Sequence, residues 1–311
     1  MEERLDVEEQ REASLPNDGI IDDKNVVVLL TNELTPIPNV TSTLMDSIHI
    51  TLTESKEWQQ LYEAVVMLRR VMVYHSEVIT THHIESFVRL LAAESDSLRS
   101  APSKNGLLAC AECFEFVPRS IQERTLLSSS HPEMLDVLLR RSVCEKKFLR
   151  DMALFAMQKL ATHLAGLPLL TAVARYGTNK NGKLCGSAAK LIALSLECLV
   201  QTYHAISYKT NGSFKTTFRA LAAFRESKDA SARFEATRSL QLLCAVLGAK
   251  TFELGLKDAL SGPNQAGIVA RILKDACTAA SVTRPRAQMR SLRDRVQQDS
   301  NARTGILTNC Y

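Results

Sequence analysis

The sequence predicts an all-α protein, a solenoid of about six stacked helical hairpins, and three observations lead there. From residue 41, apolar residues recur at three- and four-residue spacing for roughly 240 residues, broken only by short polar turns. Leu and Ala are plentiful and aromatics make up only 5%, a bias towards helix formers. The helical segments follow one another across links of about 2–8 residues, which force antiparallel neighbours, and the resulting pairs return about every 40 residues, the HEAT or armadillo period. One hairpin cannot bury its own apolar stripe, so the pairs must stack.

Residues 1–24 carry nine acids and three bases, net −6, and read as disordered. "NVVVLLTNELTPIPNV" (25–40) opens with a strand-like apolar run and ends in a Pro-rich connector. No second β-like run exists to pair with it, so it is expected to lie extended against the helices that follow. The period then places helices near 41–52, 57–75, 81–94, 102–117, 131–143, 147–163, 166–176, 183–203, 213–226, 229–247, 251–260 and 264–281. The second helices open alike, with a small or charged loop, a basic residue and an Ala-rich face: "SLRSAPSKNGLLACAECF", "KKFLRDMALFAMQKL", "NKNGKLCGSAAKLIALSL" and "KDASARFEATRSLQLL". Pro285 stops the last helix, and residues 284–303 carry six arginines against two aspartates, net +4. The expected organisation is an acidic N-terminal segment (1–32), one helical-repeat domain (33–281) and a basic flexible tail (282–311).

With a formal charge of +4 overall, the remainder between head and tail is +6, from +4 + 6 − 4, so the folded body is mildly basic and suits an acidic partner. No apolar run approaches the ~18 residues of a membrane span, and "MEERLDVEEQ" does not read as a secretory signal. No catalytic, metal or cofactor site assembles. Cys110 and Cys113 form a C-x-x-C inside an apolar helical run and read as buried small hydrophobes. His82 and His83 are adjacent and point apart, and "YGTNKNGK" has glycines and lysines but no flanking strand to make a phosphate cradle. Nucleic acid is not expected as a partner, since the arginine tail lacks interleaved aromatics.

In a stack of hairpins, the turns within each pair emerge along one edge. That edge collects Trp58 from the first repeat, Arg99, Ser103 and Lys104 from the second, and Lys146, Lys147 and Arg150 from the third. The fourth adds Lys180 and Lys183, and the fifth Arg233. Cations beside a helix N-terminus oppose its dipole, so their recurrence there hints at an outside partner. A tryptophan backed by cations suits an interface anchor.

"EWQQLYEAVVMLRRVMVYHSEVI", "SLRSAPSKNGLLACAECF" and "KKFLRDMALFAMQKL" resemble TOG domains, and among them the crescerin group, TOG-array regulators of axonemal microtubules. "ELTPIPNV" is similar to that group's lead-in. The resemblance runs over residues 33–260 and is most specific in the first three repeats. It implies a six-repeat HEAT paddle whose turns bind αβ-tubulin, acting as a monomer in the cytoplasm, cytoskeleton, cilium and axoneme. On this likeness Trp58 matches the first-turn anchor. Ser103 and Lys104 match the second-turn Ser-Arg, and Lys147 and Arg150 match the third-turn Lys and Arg. Arg233 matches the fifth-turn arginine less closely. Pro102 stands where the family has a small aliphatic residue, and Leu184-Cys185 where it often has Val-Arg.

Two readings follow. One is a non-enzymatic tubulin- or microtubule-binding protein that works through its turn edge. The other is a scaffold that takes a peptide or helix along its helical face, its turns merely solvated.

Overall fold

A computed structural model of the 311-residue chain describes residues 26–126, 133–202, 213–262 and 264–279. Residues 1–25 and 280–311, which hold most of the expected acidic segment and the basic tail, lie outside the described residues. Among the described residues there are thirteen α-helices and no strand: α1 (Ser42–Glu54), α2 (Trp58–Tyr74), α3 (Thr81–Ser95), α4 (Ser100–Phe116), α5 (Arg119–Leu126), α6 (Glu133–Arg141), α7 (Lys147–His163), α8 (Leu167–Ala174), α9 (Gly182–Thr202), α10 (Ser213–Arg225), α11 (Ala230–Leu247), α12 (Ala249–Ala259) and α13 (Ala266–Ala279). Every helix expected from the period is present within about two residues of its expected bounds. The fold is the predicted one, all-α and built of helical hairpins.

One helix was not expected. α5 is short, eight residues, and largely polar. Its Gln122 is buried, and the side-chain amide donates to the carbonyls of Phe114 and Val117, which the end of α4 leaves unpaired. A side chain that caps the preceding helix holds α5 in place, and a scan for hydrophobic period cannot register such a bond.

The chain divides into two compact units within α7, at Ala156–Met157. In the first, α2 packs on α1 and α4, and α3 on α4 and α6. The pairing is close: a β-carbon on Gly106 of α4 would meet the backbone nitrogen of Ser95 at 2.6 Å, so only glycine lets the end of α3 approach. The lead-in lies extended along α2, as expected, with Val28, Leu34 and Ile37 buried. Side chains of α2 satisfy its carbonyls: Tyr62 donates to Val27 at 3.4 Å, Tyr74 to Leu34 at 2.6 Å, and Arg70 to Thr35 at 2.7 Å and Pro36 at 3.0 Å.

At the centre of this unit is a buried ion pair. Arg69 of α2 grips Glu112 of α4 through two parallel bonds of 2.8 Å, both side chains being fully out of water. The remaining arginine nitrogen donates to Asn105 at 2.8 Å, Asn105 donates to the Tyr62 carbonyl at 3.0 Å, and Thr31 of the lead-in donates to Glu112 at 2.8 Å. Three segments thus meet on one carboxylate.

In the second unit α9 lies along α11, α10 packs on α8, α11 and α12, and Phe218 meets Phe252 edge-on with centroids 5.5 Å apart. α9 is long and apolar enough to cross a membrane by length and composition, which corrects the expectation that no run approaches that length, though Lys190 and Glu197 interrupt it. Its Ala189, Leu191, Ile192 and Leu196 are fully buried here, which is what a core helix requires.

Removing one member of a buried pair costs about 3–5 kcal/mol, because the other charge is stranded. Glu112→Ala should therefore lower unfolding free energy in urea by about that much. Arg69→Met with Glu112→Leu should recover most of the loss but not all, since Asn105 and Thr31 keep polar groups with nothing to bond. An additive double variant would show that the pair is not coupled.

Candidate functional site

Three turns of the first unit come together. Before α2, the Ser55 hydroxyl accepts the Glu57 N–H at 3.1 Å and donates to Gln60 at 2.6 Å, so the chain enters the helix with Trp58 as its first residue. Between α3 and α4, Asp96 pairs with Arg140 at 3.0 Å and Arg141 at 3.2 Å, and Arg141 also donates to the Ser97 carbonyl at 2.8 Å. The Arg99 guanidinium lies over the Trp58 ring, 5.1 Å from its centroid. Before α7, Lys146 donates to Ser100 at 2.9 Å. Each turn thus touches the next.

Trp58 is not the outward indole that the sequence suggested. It is half-buried, packed with Val26, Ala101 and Met152 against a cluster of Val28, Tyr62 and Leu108. The lead-in brings Val26 and Val28 across its flank, and residues more than thirty positions away leave no trace in the local period. One face of the ring seats the edge on the core, and Arg99 covers it from outside, a contact of about 0.5–1 kcal/mol at an exposed site.

The fourth residue of each of α4, α7, α9 and α11 bonds back to its own turn. Ser103 of α4 donates to the Ser95 carbonyl at 2.6 Å and is fully buried. Arg150 of α7 donates to the carbonyls of Cys144 at 2.8 Å and Glu145 at 2.6 Å. In the second unit the Cys185 thiol of α9 donates to the Asn179 carbonyl at 3.2 Å, and Arg233 of α11 to those of Ser227 and Lys228, both at 2.8 Å. Arg150, Cys185 and Arg233 all reach the residue six positions back. These side chains close turns. Ser103 therefore lies inside rather than on the edge, and Arg150 and Arg233, expected as contact cations, are committed to carbonyls. Pro102, third in α4, occupies a position whose N–H no helix carbonyl would have received.

Of the remaining expected residues, Arg99, Lys146 and Lys147 are exposed and Lys104 is half-buried, all in the first unit; Glu57, Glu145 and Asp151 are exposed in the same turns. In the second unit Lys180 and Lys183 are exposed. Asn181 between them caps α9, its side-chain oxygen accepting from Lys183 at 3.1 Å and Leu184 at 3.3 Å, so "YGTNKNGK" spends its donors on a helix start rather than a phosphate. Its turn adjoins that of α11: a β-carbon on Gly186 would meet the Asp229 carboxylate at 2.9 Å.

Sequence reasoning missed the apolar members of these turns. Leu98 is 95% exposed, Phe148 44% and Phe234 66%. The signal was there for two of them. Leu98 stands in "SDSLRS", between helices whose periods do not need it, and Phe148 precedes Leu149, which is buried, so the two cannot share a face.

Other chemistry is sparse. Cys110 and Cys113 are buried, and burial pushes the Cys110 thiol up to about 12 and the Cys113 thiol higher still, far from reactive thiolates. Among the described residues no group of three His, Cys, Asp or Glu side chains is placed to hold a metal ion.

The fold is similar to that of the TOG domain of Zyg9 from C. elegans, with a TM-score of 0.53 and 12% identity over 81% of this chain and 91% of that one. A computationally designed armadillo repeat protein for modular peptide recognition gives a TM-score of 0.40 at 15% identity, covering 76% of this chain and 99% of that one. At these identities the likeness is one of fold. No protein-family model and no curated protein matches the chain.

Hydrogen bonds from charged donors contribute about 1.5–3 kcal/mol each. Arg150→Ala and Arg233→Ala should each lower the unfolding midpoint by at least that of one such bond, whereas Lys147→Ala should stay within about 0.5 kcal/mol of the parent. Equal, negligible effects in denaturant titrations would show that the arginines do not hold the turns.

Proposed function

We propose that this chain is a non-enzymatic tubulin-binding protein that regulates microtubules through the turn edge of its first unit. The observation that carries this reading is the linked series Trp58–Arg99 and Ser100–Lys146, which joins three turns and sets exposed Leu98, Phe148, Lys146 and Lys147 on two of them. The lysines would steer the edge onto an acidic partner. Leu98 and Phe148, with the outer part of Trp58, supply the apolar area that desolvates on contact. The TOG-type fold and the resemblance of the first three repeats to TOG sequences support tubulin as that partner. The likeness to the crescerin group supports action on axonemal microtubules in the cilium. In the second unit Cys185 holds a turn position where that family often carries arginine, and the reading assigns this unit the smaller share of affinity.

Trp58→Ala would undermine the footing of the edge, so surface variants give the cleaner test. Lys146→Glu with Lys147→Glu should weaken tubulin binding at least about tenfold and flatten its salt dependence, with only the small loss of stability that the exposed Lys146–Ser100 bond accounts for. A titration in which this double variant binds tubulin as the parent does would overturn the proposal. Retained binding of a helical peptide by a chain that ignores tubulin would favour the scaffold reading instead.

A further inference from the structure

The lead-in runs parallel to α2. Its later carbonyls, at Leu34, Thr35 and Pro36, are met by Tyr74 and Arg70, and its early one, at Val27, by Tyr62. Followed towards lower numbers, the chain therefore approaches the start of α2, and Val26, the first described residue, packs on the cluster that seats Trp58. The described residues thus begin beside the turn edge.

Charge complements the position. Residues 1–24 carry nine acids and three bases. The three turns of the first unit and the helix starts behind them carry Lys56, Arg99, Lys104, Lys146, Lys147 and Arg150 against Glu57, Asp96, Glu145 and Asp151, six bases to four acids, and Asp96 is already paired with Arg140 and Arg141. Asp22 and Asp23 precede Val26 by only four and three residues, so they stay within about 15 Å of it whatever path the chain takes. Glu2, Glu3, Asp6, Glu8 and Glu9 lie further out on a tether that spans about 80 Å at full stretch, which reaches all six bases of this unit. A tethered contact of this kind works at a millimolar effective concentration, enough for weak charge pairing to hold.

We propose that the acidic residues 1–24 dock on the basic turn edge of the first unit and shield it from an acidic partner. The shielding rests on that edge being a binding surface; the docking does not. An intramolecular acidic segment sets a threshold, and a partner must bring more charge, or apolar area for Leu98 and Phe148, to displace it.

The test uses the full chain and a full-length variant with Glu2, Glu3, Asp6, Glu8, Glu9, Asp22 and Asp23 changed to Gln or Asn. Trp58, the only tryptophan in the chain, reports on the edge by its emission. In the parent, raising salt from roughly 50 to 500 mM should release the segment and shift that emission, and in the variant the shift should be absent. Carbodiimide coupling mapped by mass spectrometry should join carboxylates of residues 2–23 to Lys56, Lys104, Lys146 or Lys147 in preference to lysines of the second unit such as Lys215 and Lys257. The variant should bind tubulin about fivefold tighter than the parent. Identical salt responses of Trp58 in both chains, or couplings spread evenly over all lysines, would overturn the docking. Specific couplings in a chain that no variant makes bind tubulin would uphold the docking and remove the tubulin reading.

Discussion

The first unit depends on an ion pair kept out of water. Taking Arg69 and Glu112 from solvent is expensive, and the pair is tolerated because its geometry is bidentate and its spare valences are filled by Asn105 and Thr31. Apolar packing between α2 and α4 would accept a small slide, whereas two parallel bonds to one carboxylate do not. The pair therefore fixes register. Thr31, which opens a single 3-10 turn at Thr31–Glu33, extends that register to the lead-in, which brings Val26 and Val28 to the cluster that seats Trp58. Remove the carboxylate and the lead-in loses one tie to the core, leaving the bonds from Tyr62, Arg70 and Tyr74 to hold it beside Trp58.

The helices were legible because burial on one face imposes a period on the chain that bears it. α7 was placed to the residue, and its neighbours to within about two. What stayed hidden was set by contacts across sequence. The half-burial of Trp58 depends on the lead-in, the burial of Ser103 on a carbonyl eight residues back, and α5 on one glutamine that caps another helix. None of these leaves a periodic mark. The exposed apolar groups were the readable part that went unread: a leucine in a polar turn, and a phenylalanine beside a leucine, each imply a side chain with no place in the core.

The turn arginines show how a pattern can be seen and its cause misassigned. A cation early in a helix works against the dipole, so its recurrence called for a compensating partner. The partner turns out to be internal. Arg150 and Arg233 each take two carbonyls of their own turn, and Cys185 makes a weaker version of the same bond. Turn closure is enough to account for recurrence at that position. Lys146 spends a bond on Ser100, whereas Lys147, Leu98 and Phe148 stand exposed beside it, and they are where an argument for recognition has to start.

Closure of the turns also bears on what recognition would cost. A loop that orders on contact gives up part of its interaction energy to lost freedom, about 0.5–1.5 kcal/mol for each side chain immobilised. Here the turn that carries Leu98 is already held by Asp96 to Arg140 and Arg141, by Arg141 to Ser97 and by Lys146 to Ser100. Its backbone has little left to lose. An exposed leucine on a fixed turn is unfavourable in water and favourable against any apolar surface, so the hydrogen bonds that stiffen the edge also make it ready to bind. The same stiffness favours a tethered acidic segment as competitor, because neither occupant has to reshape the surface it meets. Which one holds the edge is then decided by charge and by the apolar area each can bring to Leu98 and Phe148.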